Sequence, residues 1–339
     1  MNSFLKPIVL FSVLFCVLSN ACAADEKIPK DAPKKLKIAM IAKSSTNLSF
    51  LLARRGAEDT ARDLSKKYKM EITIDWRTPP TEDGQVQAER ITQSVNDGAD
   101  AVMISCSDAA KVIGAIDQAV ERGIPVMTFD SDAPESKRFA FYGADDAEAG
   151  QMVMAETIKA VNGKGNIAIL GGNPHAPNLQ RRIAAAKIEA AKHSGIKIVD
   201  VFYCMQTPQD ASAEVIRANN ANPEITAWCM PGGWALFTPA LLTHIDPTKM
   251  KIVSGDGLPP QLIYLEKGIA TTLVAQPSYQ WGSLPVQMIV DKIVFKKKIP
   301  VINKMELVKV DKSNLGSWAR QLVKWGYTNE IPEEYVKMP

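Results

Sequence analysis

The chain has 339 residues, 46% hydrophobic and 23% charged, the balance of a soluble protein long enough for two cores. Its 40 Lys and Arg against 37 Asp and Glu leave a net charge of +3. That charge offers neither nucleic acid nor an anionic membrane a strongly basic face.

The N-terminus reads as a secretory signal over residues 1–23. Lys6 supplies a positive start, residues 8–18 are apolar apart from Ser12, and Ala21-Cys22-Ala23 gives a small-x-small cleavage site. The apolar run is too short for a bilayer, which needs about 20 residues. Cleavage after Ala23 and a periplasmic address are therefore expected. Acylation of Cys22 is the alternative, and it is disfavoured by Ser19, where an aliphatic residue is usual. Residues 24–35 carry two prolines and seven charges and read as a solvated leader. No later segment reads as a membrane span.

From residue 36 the pattern alternates. Residues 36–43 (LKIAMIAK) read as a buried strand, followed by the loop SSTN and a helix over 49–68. Leu52, Ala53, Gly56, Ala57, Thr60, Ala61 and Leu64 recur along that helix at the helical period. Strands are expected at 70–76, 99–106, 126–130 and 139–144, with helices at 83–96 and 109–122. A helix from Asp145–Asp146 to about 161 leads into a second series. Its strands fall at 166–170, 196–203, 225–230, 252–255 and 271–275, and its helices at 178–193, 211–219, 235–244 and 259–267. A long helix over 279–296 and a last strand over 304–310 precede a tail from 313 that is expected to pack on a lobe surface. Strands alternating with helices imply parallel sheets with right-handed crossovers. The repetition is of whole domains, not of a short solenoid unit.

Two strand tips stand out. Residues 125–132 (PVMTFDSD) and 251–257 (KIVSGDG) are short apolar strands ending in Asp130 and Asp256. In open parallel sheets, ligands bind beyond the carboxyl ends of the strands, so each acid is a candidate grip; the structural alternative is a helix cap or turn. With the signal removed, Cys106, Cys204 and Cys229 remain, an odd number that cannot all pair in one chain. Their apolar contexts (VMISC, VFYC, TAWC) favour three buried thiols, with one disulfide as the alternative. His175, His193 and His244 show no metal-ligand spacing, and no CxxC, GxSxG or P-loop occurs. Neither a catalytic centre nor a cofactor or metal site is expected.

Over residues 36–310 the chain resembles the periplasmic solute-binding proteins of the ribose-type ABC importer family. The resemblance is carried by IAKSSTNLSF, GADAVMISCSD, RGIPVMTFDSD, Asp145–Asp146 at the crossover, Arg182, Asp256 and TTLVAQPSYQWG. Lys43 and TFDSD lean toward the rhamnose- and quorum-signal-binding branch. The resemblance implies an α/β fold of two Rossmann-like lobes, the type I periplasmic binding protein, with parallel sheets and a three-strand hinge. It implies an N-terminal lobe of 36–144 plus 277–304, a C-terminal lobe of 145–276 plus 305–312, and a C-terminal extension of 313–339. Hinges are expected near 144–146, 276–277 and 303–305.

Carried over by position, the ligand contacts implied are Lys43, Asn47, Phe50, Asp130 and Ser131 from the first lobe. From the second they are Arg182, the turn Pro231–Gly232–Gly233, Trp234, Asp256 and Gln276. Ionised Asp and forked Arg suit sugar hydroxyls, which both donate and accept. Phe50, Trp234 and Trp281 are candidate platforms for a sugar's C–H face; packing in a core is the alternative for the two tryptophans. The chain departs from the ribose pattern at Ser131 and Pro231–Gly232, and from the quorum-signal pattern at Pro177–Asn178. The implied function is capture of a sugar or sugar-like molecule and its delivery to a membrane permease, by a monomer with no nucleic-acid partner. The alternative is a chemosensory or signal-molecule receptor. A transcription regulator would need a DNA-binding head where this chain has its signal.

Overall fold

A computed structural model describes residues 27–338; the expected signal, with Cys16 and Cys22, lies outside them. Strand β1 (Lys35–Ile41) opens the first series: α1 (Leu48–Tyr68), β2 (Glu71–Trp76), α2 (Gly84–Asn96), β3 (Ala101–Ile104), α3 (Ala109–Glu121), β4 (Val126–Phe129) and β5 (Ala140–Gly143). The second series comprises α4 (Asp146–Ala160), β6 (Gly165–Gly172), α5 (Pro177–Ala191), β7 (Ile196–Tyr203), α6 (Pro208–Ala221), β8 (Ala227–Met230), β9 (Lys251–Asp256), the short α7 (Leu262–Glu266) and β10 (Ala270–Ala275). Then come α8 (Gln280–Ile293), β11 (Ile302–Lys304), β12 (Val308–Val310), α9 (Leu315–Lys324) and α10 (Glu333–Lys337).

The strands form two six-stranded sheets, ordered β11-β5-β4-β3-β1-β2 and β12-β10-β9-β8-β6-β7. Every pairing is parallel except that of β12 with β10. The orders are equivalent, and in each the strand sequence reverses beside the first strand, at β1/β3 and at β6/β8. Such a reversal opens a crevice at the carboxyl ends of the strands. β3, β4 and β8 are buried along their whole length, as expected where helices cover both faces of a parallel sheet.

The chain crosses between sheets three times: from β5 to α4, from β10 to α8 and from β11 to β12. The single strand expected over 304–310 is thus two three-residue strands on either side of a crossover, with the Met305 N–H donating to the Gly143 carbonyl at 2.8 Å. The helix expected over 235–244 is instead one 3-10 turn, Trp234–Leu236, followed by further turns. Pro239 has no N–H for a continuing helix and disfavours helical backbone just before it. The tail contributes to the second core through Leu315, Trp318, Ala319 and Leu322, and Trp318 Nε1 donates to the Gly257 carbonyl at 2.7 Å, one residue past the strand tip. Arg55 of α1 reaches the Gly326 carbonyl at 2.8 Å, and the Tyr279 and Trp325 rings stack with centroids 5.8 Å apart.

In the first lobe α8 lies directly on α1. A Cβ built on Gly282 would stand 1.8 Å from the Ala53 carbonyl oxygen and 2.5 Å from the Ala57 nitrogen. The obstacles are backbone atoms, so the helices must separate to admit a methyl group. Overpacking of this kind costs about 1–3 kcal/mol, and Gly282→Ala is expected to lower the melting temperature accordingly in a calorimetric scan. An unchanged transition would show that the two helices are not held this closely.

Candidate functional site

The two strand-tip acids occupy equivalent places in the two sheets, and both have left-handed backbone: φ is +56° at Asp130 and +80° at Asp256. Non-glycine residues adopt this region rarely, and such strain gathers at functional sites. Both side chains turn into the space between the lobes, and both are nearly sealed from solvent, at 4% and 5% exposure.

On the first lobe, Ser105 at the end of β3 donates its hydroxyl to Asp130 Oδ2 at 2.7 Å. Gln87 of α2 fixes this corner. Its amide donates to the Ala42 and Ser105 carbonyls at 3.0 and 2.7 Å and accepts from the Ser107 N–H at 2.8 Å. Lys43, 2% exposed, lies just past β1. Its ammonium is 3.6 Å from Asp130 Oδ2 and donates across the cleft to Asn178 Oδ1 at 3.0 Å. Asn178 in turn donates to Asp130 Oδ1 at 3.4 Å, so a cation, an amide and a carboxylate bridge the lobes. Asp132, two residues on, pairs with buried Arg138 and with Thr128.

On the second lobe, Arg181 and Arg182 both bind Asp146, the first residue of α4, at 2.9 and 3.0 Å. Only Arg182 is buried, at 3% exposure. It also donates to the Pro231 carbonyl at 3.2 Å and to Gln276 Oε1 at 2.8 Å. Gln276 passes the chain of bonds on, donating to Asp256 Oδ1 at 3.0 Å, while the Gly233 N–H donates to Asp256 Oδ2 at 2.7 Å. Burial opposes the Arg182 charge, but Asp146, Asp130 and Asp256 more than offset it and raise its pKa. For Asp256 burial prevails: its pKa is raised, with Asp130 adding to the shift and Gly233, Arg182 and Gln276 opposing it.

These groups line an inner chamber of about 30 Å³. Of the residues expected from the sequence, Lys43, Asn47, Asp130, Arg182, Gly232, Trp234, Asp256 and Gln276 line it, and so does Trp281. Phe50 stands behind Trp281, ring centroids 5.9 Å apart, and Pro231 faces it only through Arg182. The Ser131 side chain is buried elsewhere, and its hydroxyl has no partner. Asn47 has a second task, capping α1 by accepting from the Ser49 N–H at 3.0 Å. Sequence reasoning did not name Ser49, Asn178, Leu179 or Gln206, which complete the lining. Among them, Asn178 stands at a position already marked as departing from the quorum-signal pattern, the one signal that could have found it.

The chamber holds two carboxylates, a guanidinium, an ammonium and four amides, each already oriented by a neighbour. This donor and acceptor set can exchange its internal hydrogen bonds for those of a polyhydroxylated neutral molecule, and the indole Nε1 of Trp281 is a buried donor with no partner. No group of three or more His, Cys, Asp or Glu able to hold a metal occurs among the described residues. Among the described residues the three cysteines are free, and Cys204 is only partly buried, unlike Cys106 and Cys229. Burial pushes the Cys204 and Cys229 thiols up to about 12 and raises Cys106 as well, which removes the reactive thiolate.

The chain is similar to several known proteins. A D-ribose/D-allose-binding protein of Pseudomonas aeruginosa is 22% identical over 232 residues, which cover 66% of this chain and 72% of that protein. An ABC transporter solute-binding protein of Burkholderia graminis, solved in complex with D-arabinose, superposes with a TM-score of 0.77 at 26% identity over 84% of this chain and 98% of that one. A periplasmic solute-binding protein of Actinobacillus succinogenes with bound D-allose shares the fold at 22% identity, with a TM-score of 0.72 over 82% of this chain and 98% of that one. The periplasmic binding protein domain family matches residues 38–297. With that match spanning most of the chain, and with paired sheets meeting at strand-tip acids, the chain belongs to the periplasmic binding protein family.

Proposed function

We propose that this protein is a monomeric periplasmic receptor that captures a neutral sugar between its two lobes and hands it to the permease of an ABC importer. The observation that carries the reading is the pair of strand-tip acids, one per lobe, facing a single chamber with Arg182 and Lys43 between them. Ionised carboxylates accept from hydroxyls and the cations donate to them, and charge-assisted bonds of this kind are the strong ones. The sugars named for the related proteins support the choice of pentoses and hexoses. The proposed lobes are 36–144 with 277–304 and 145–276 with 305–312, hinged at the three crossovers, with 313–339 as an extension. The rhamnose and quorum-signal lean rests on Lys43 and TFDSD and enters as ligands for the same screen. The proposed ligand set is Lys43, Asn47, Asp130, Arg182, Gly232, Trp234, Asp256 and Gln276 from the sequence, with Asn178 and Gln206 added. The protein acts by binding alone, without catalysis.

A thermal-shift screen against aldoses, deoxy sugars, sugar acids and inositols tests this. A ligand at 100 times its Kd stabilises by about 2.7 kcal/mol, so at least one pentose or hexose should raise the melting temperature clearly. No shift with any sugar would overturn the reading. Export is part of the proposal. Mass spectrometry of the secreted protein should find an N-terminus at Ala24, and an acylated Cys22 there would contradict it. Among the described residues, no helix is long and apolar enough to cross a membrane.

A further inference from the structure

Beyond the inner chamber, toward the mouth of the cleft, lies a second cavity of about 470 Å³, within the ordinary range for small-molecule sites. Asn47 and Gln206 belong to the walls of both spaces. Glu82, in the loop after β2, reaches across the mouth. Its Oε2 accepts from Asn173 and Gln206 of the second lobe, each at 3.0 Å. Its Oε1 is buried and has no partner. A buried carboxylate oxygen left unsatisfied is costly and rare, so this one asks for a donor. Opposite stands Tyr203, at the end of β7, 43% exposed. Its ring lies against the bare backbone of Gly171, where a Cβ would come within 2.8 Å of it. Met205, 62% exposed, extends the apolar wall.

We propose that this cavity is a second sugar subsite, so that the preferred ligand is a disaccharide with one ring gripped in the inner chamber and the other against Tyr203. This rests on the sugar-binding reading of the inner chamber and extends it. Sugar rings present an apolar C–H face and a rim of hydroxyls. The cavity matches both, with an aromatic ring and a thioether on its wall and an unpartnered carboxylate oxygen at its mouth. The residues shared by the two spaces put the junction where a glycosidic link would run.

The test is calorimetric titration of the full chain and of Tyr203→Ala with two sets of ligands. One set is D-ribose, D-allose, D-xylose, D-glucose and D-galactose; the other is xylobiose, cellobiose, maltose, lactose and melibiose. For the parent, at least one disaccharide should bind at least about tenfold more tightly than its own monosaccharides, a gap of roughly 1.4 kcal/mol. Tyr203→Ala should remove that advantage and leave monosaccharide affinity unchanged, which also shows that the variant folds; Tyr203→Phe should retain the advantage. Monosaccharides binding as tightly as disaccharides, or Tyr203→Ala weakening both equally, would overturn the subsite and leave the sugar reading intact. No binding by any sugar would overturn both.

Discussion

Asp256→Asn is expected to weaken sugar binding at least about tenfold, since losing a charged hydrogen-bond partner costs roughly 1.5–3 kcal/mol. Its melting temperature at neutral pH should move by only a few degrees. Burial raises the Asp256 pKa above its ordinary value of 3.8, and the sign of the effect follows. Between that value and the raised one, the folded protein holds a proton that the unfolded chain has lost, so stability falls as pH rises through the window. Once the pH passes the raised pKa the carboxylate is charged at a cost that asparagine relieves, in exchange for one lost acceptor to Gly233 or Gln276. Asparagine also tolerates the left-handed backbone at φ +80° better than alanine does. The stability of the variant relative to the parent should therefore improve as pH rises from 3.8 through that window. A purely structural role predicts the reverse pattern, early melting with unchanged affinity, and calorimetric titration beside melting curves distinguishes the two.

Arg182→Met should be the most damaging single change in the site. The guanidinium is the shared partner of Asp146, the Pro231 carbonyl and Gln276. Removing it leaves a carboxylate with Arg181 alone and two buried acceptors with no donor. Breaking a buried pair costs about 3–5 kcal/mol, which corresponds to roughly 4–8 °C in melting temperature for a chain of this size. Binding should be lost as well, because Gln276 would no longer hold its orientation toward Asp256. Arg181→Met provides the contrast. That side chain is 45% exposed beside the same Asp146, and an exposed pair is worth about 0–1 kcal/mol. Equal losses from the two variants would show that the pair at Asp146 is not divided between a buried and an outward-facing arginine.

The alternation of strands and helices was legible because parallel strands covered on both faces are short apolar runs, as in VMTF and AVMI. The strand-tip acids were legible for the same reason, since Asp130 follows VMTF and Asp256 ends the short strand KIVSGD. Their left-handed backbone was not, because nothing in the residue type announces it. Asn178 was missed as a contact because an amide in the first turn of a helix reads as a local cap, and only the meeting of the lobes brings it to Lys43. Glu82 and Gln206 escaped for a similar reason: they are 124 residues apart, and each sits in a polar loop. The strand expected over 304–310 divides because the chain changes sheets between β11 and β12, and no glycine or proline within 304–310 marks the crossover.

Closure around a sugar is measured most directly by small-angle scattering. Lobes joined at a few crossover residues move as rigid bodies, and a ligand selects the closed form by its higher affinity for it. With a saturating sugar, first shown to bind by calorimetry, the radius of gyration of the parent should fall. The double variant Asp130→Asn/Asp256→Asn, which removes the grip from both lobes, should show no change at the same sugar concentration. A parent that binds the sugar with an unchanged radius of gyration would contradict closure.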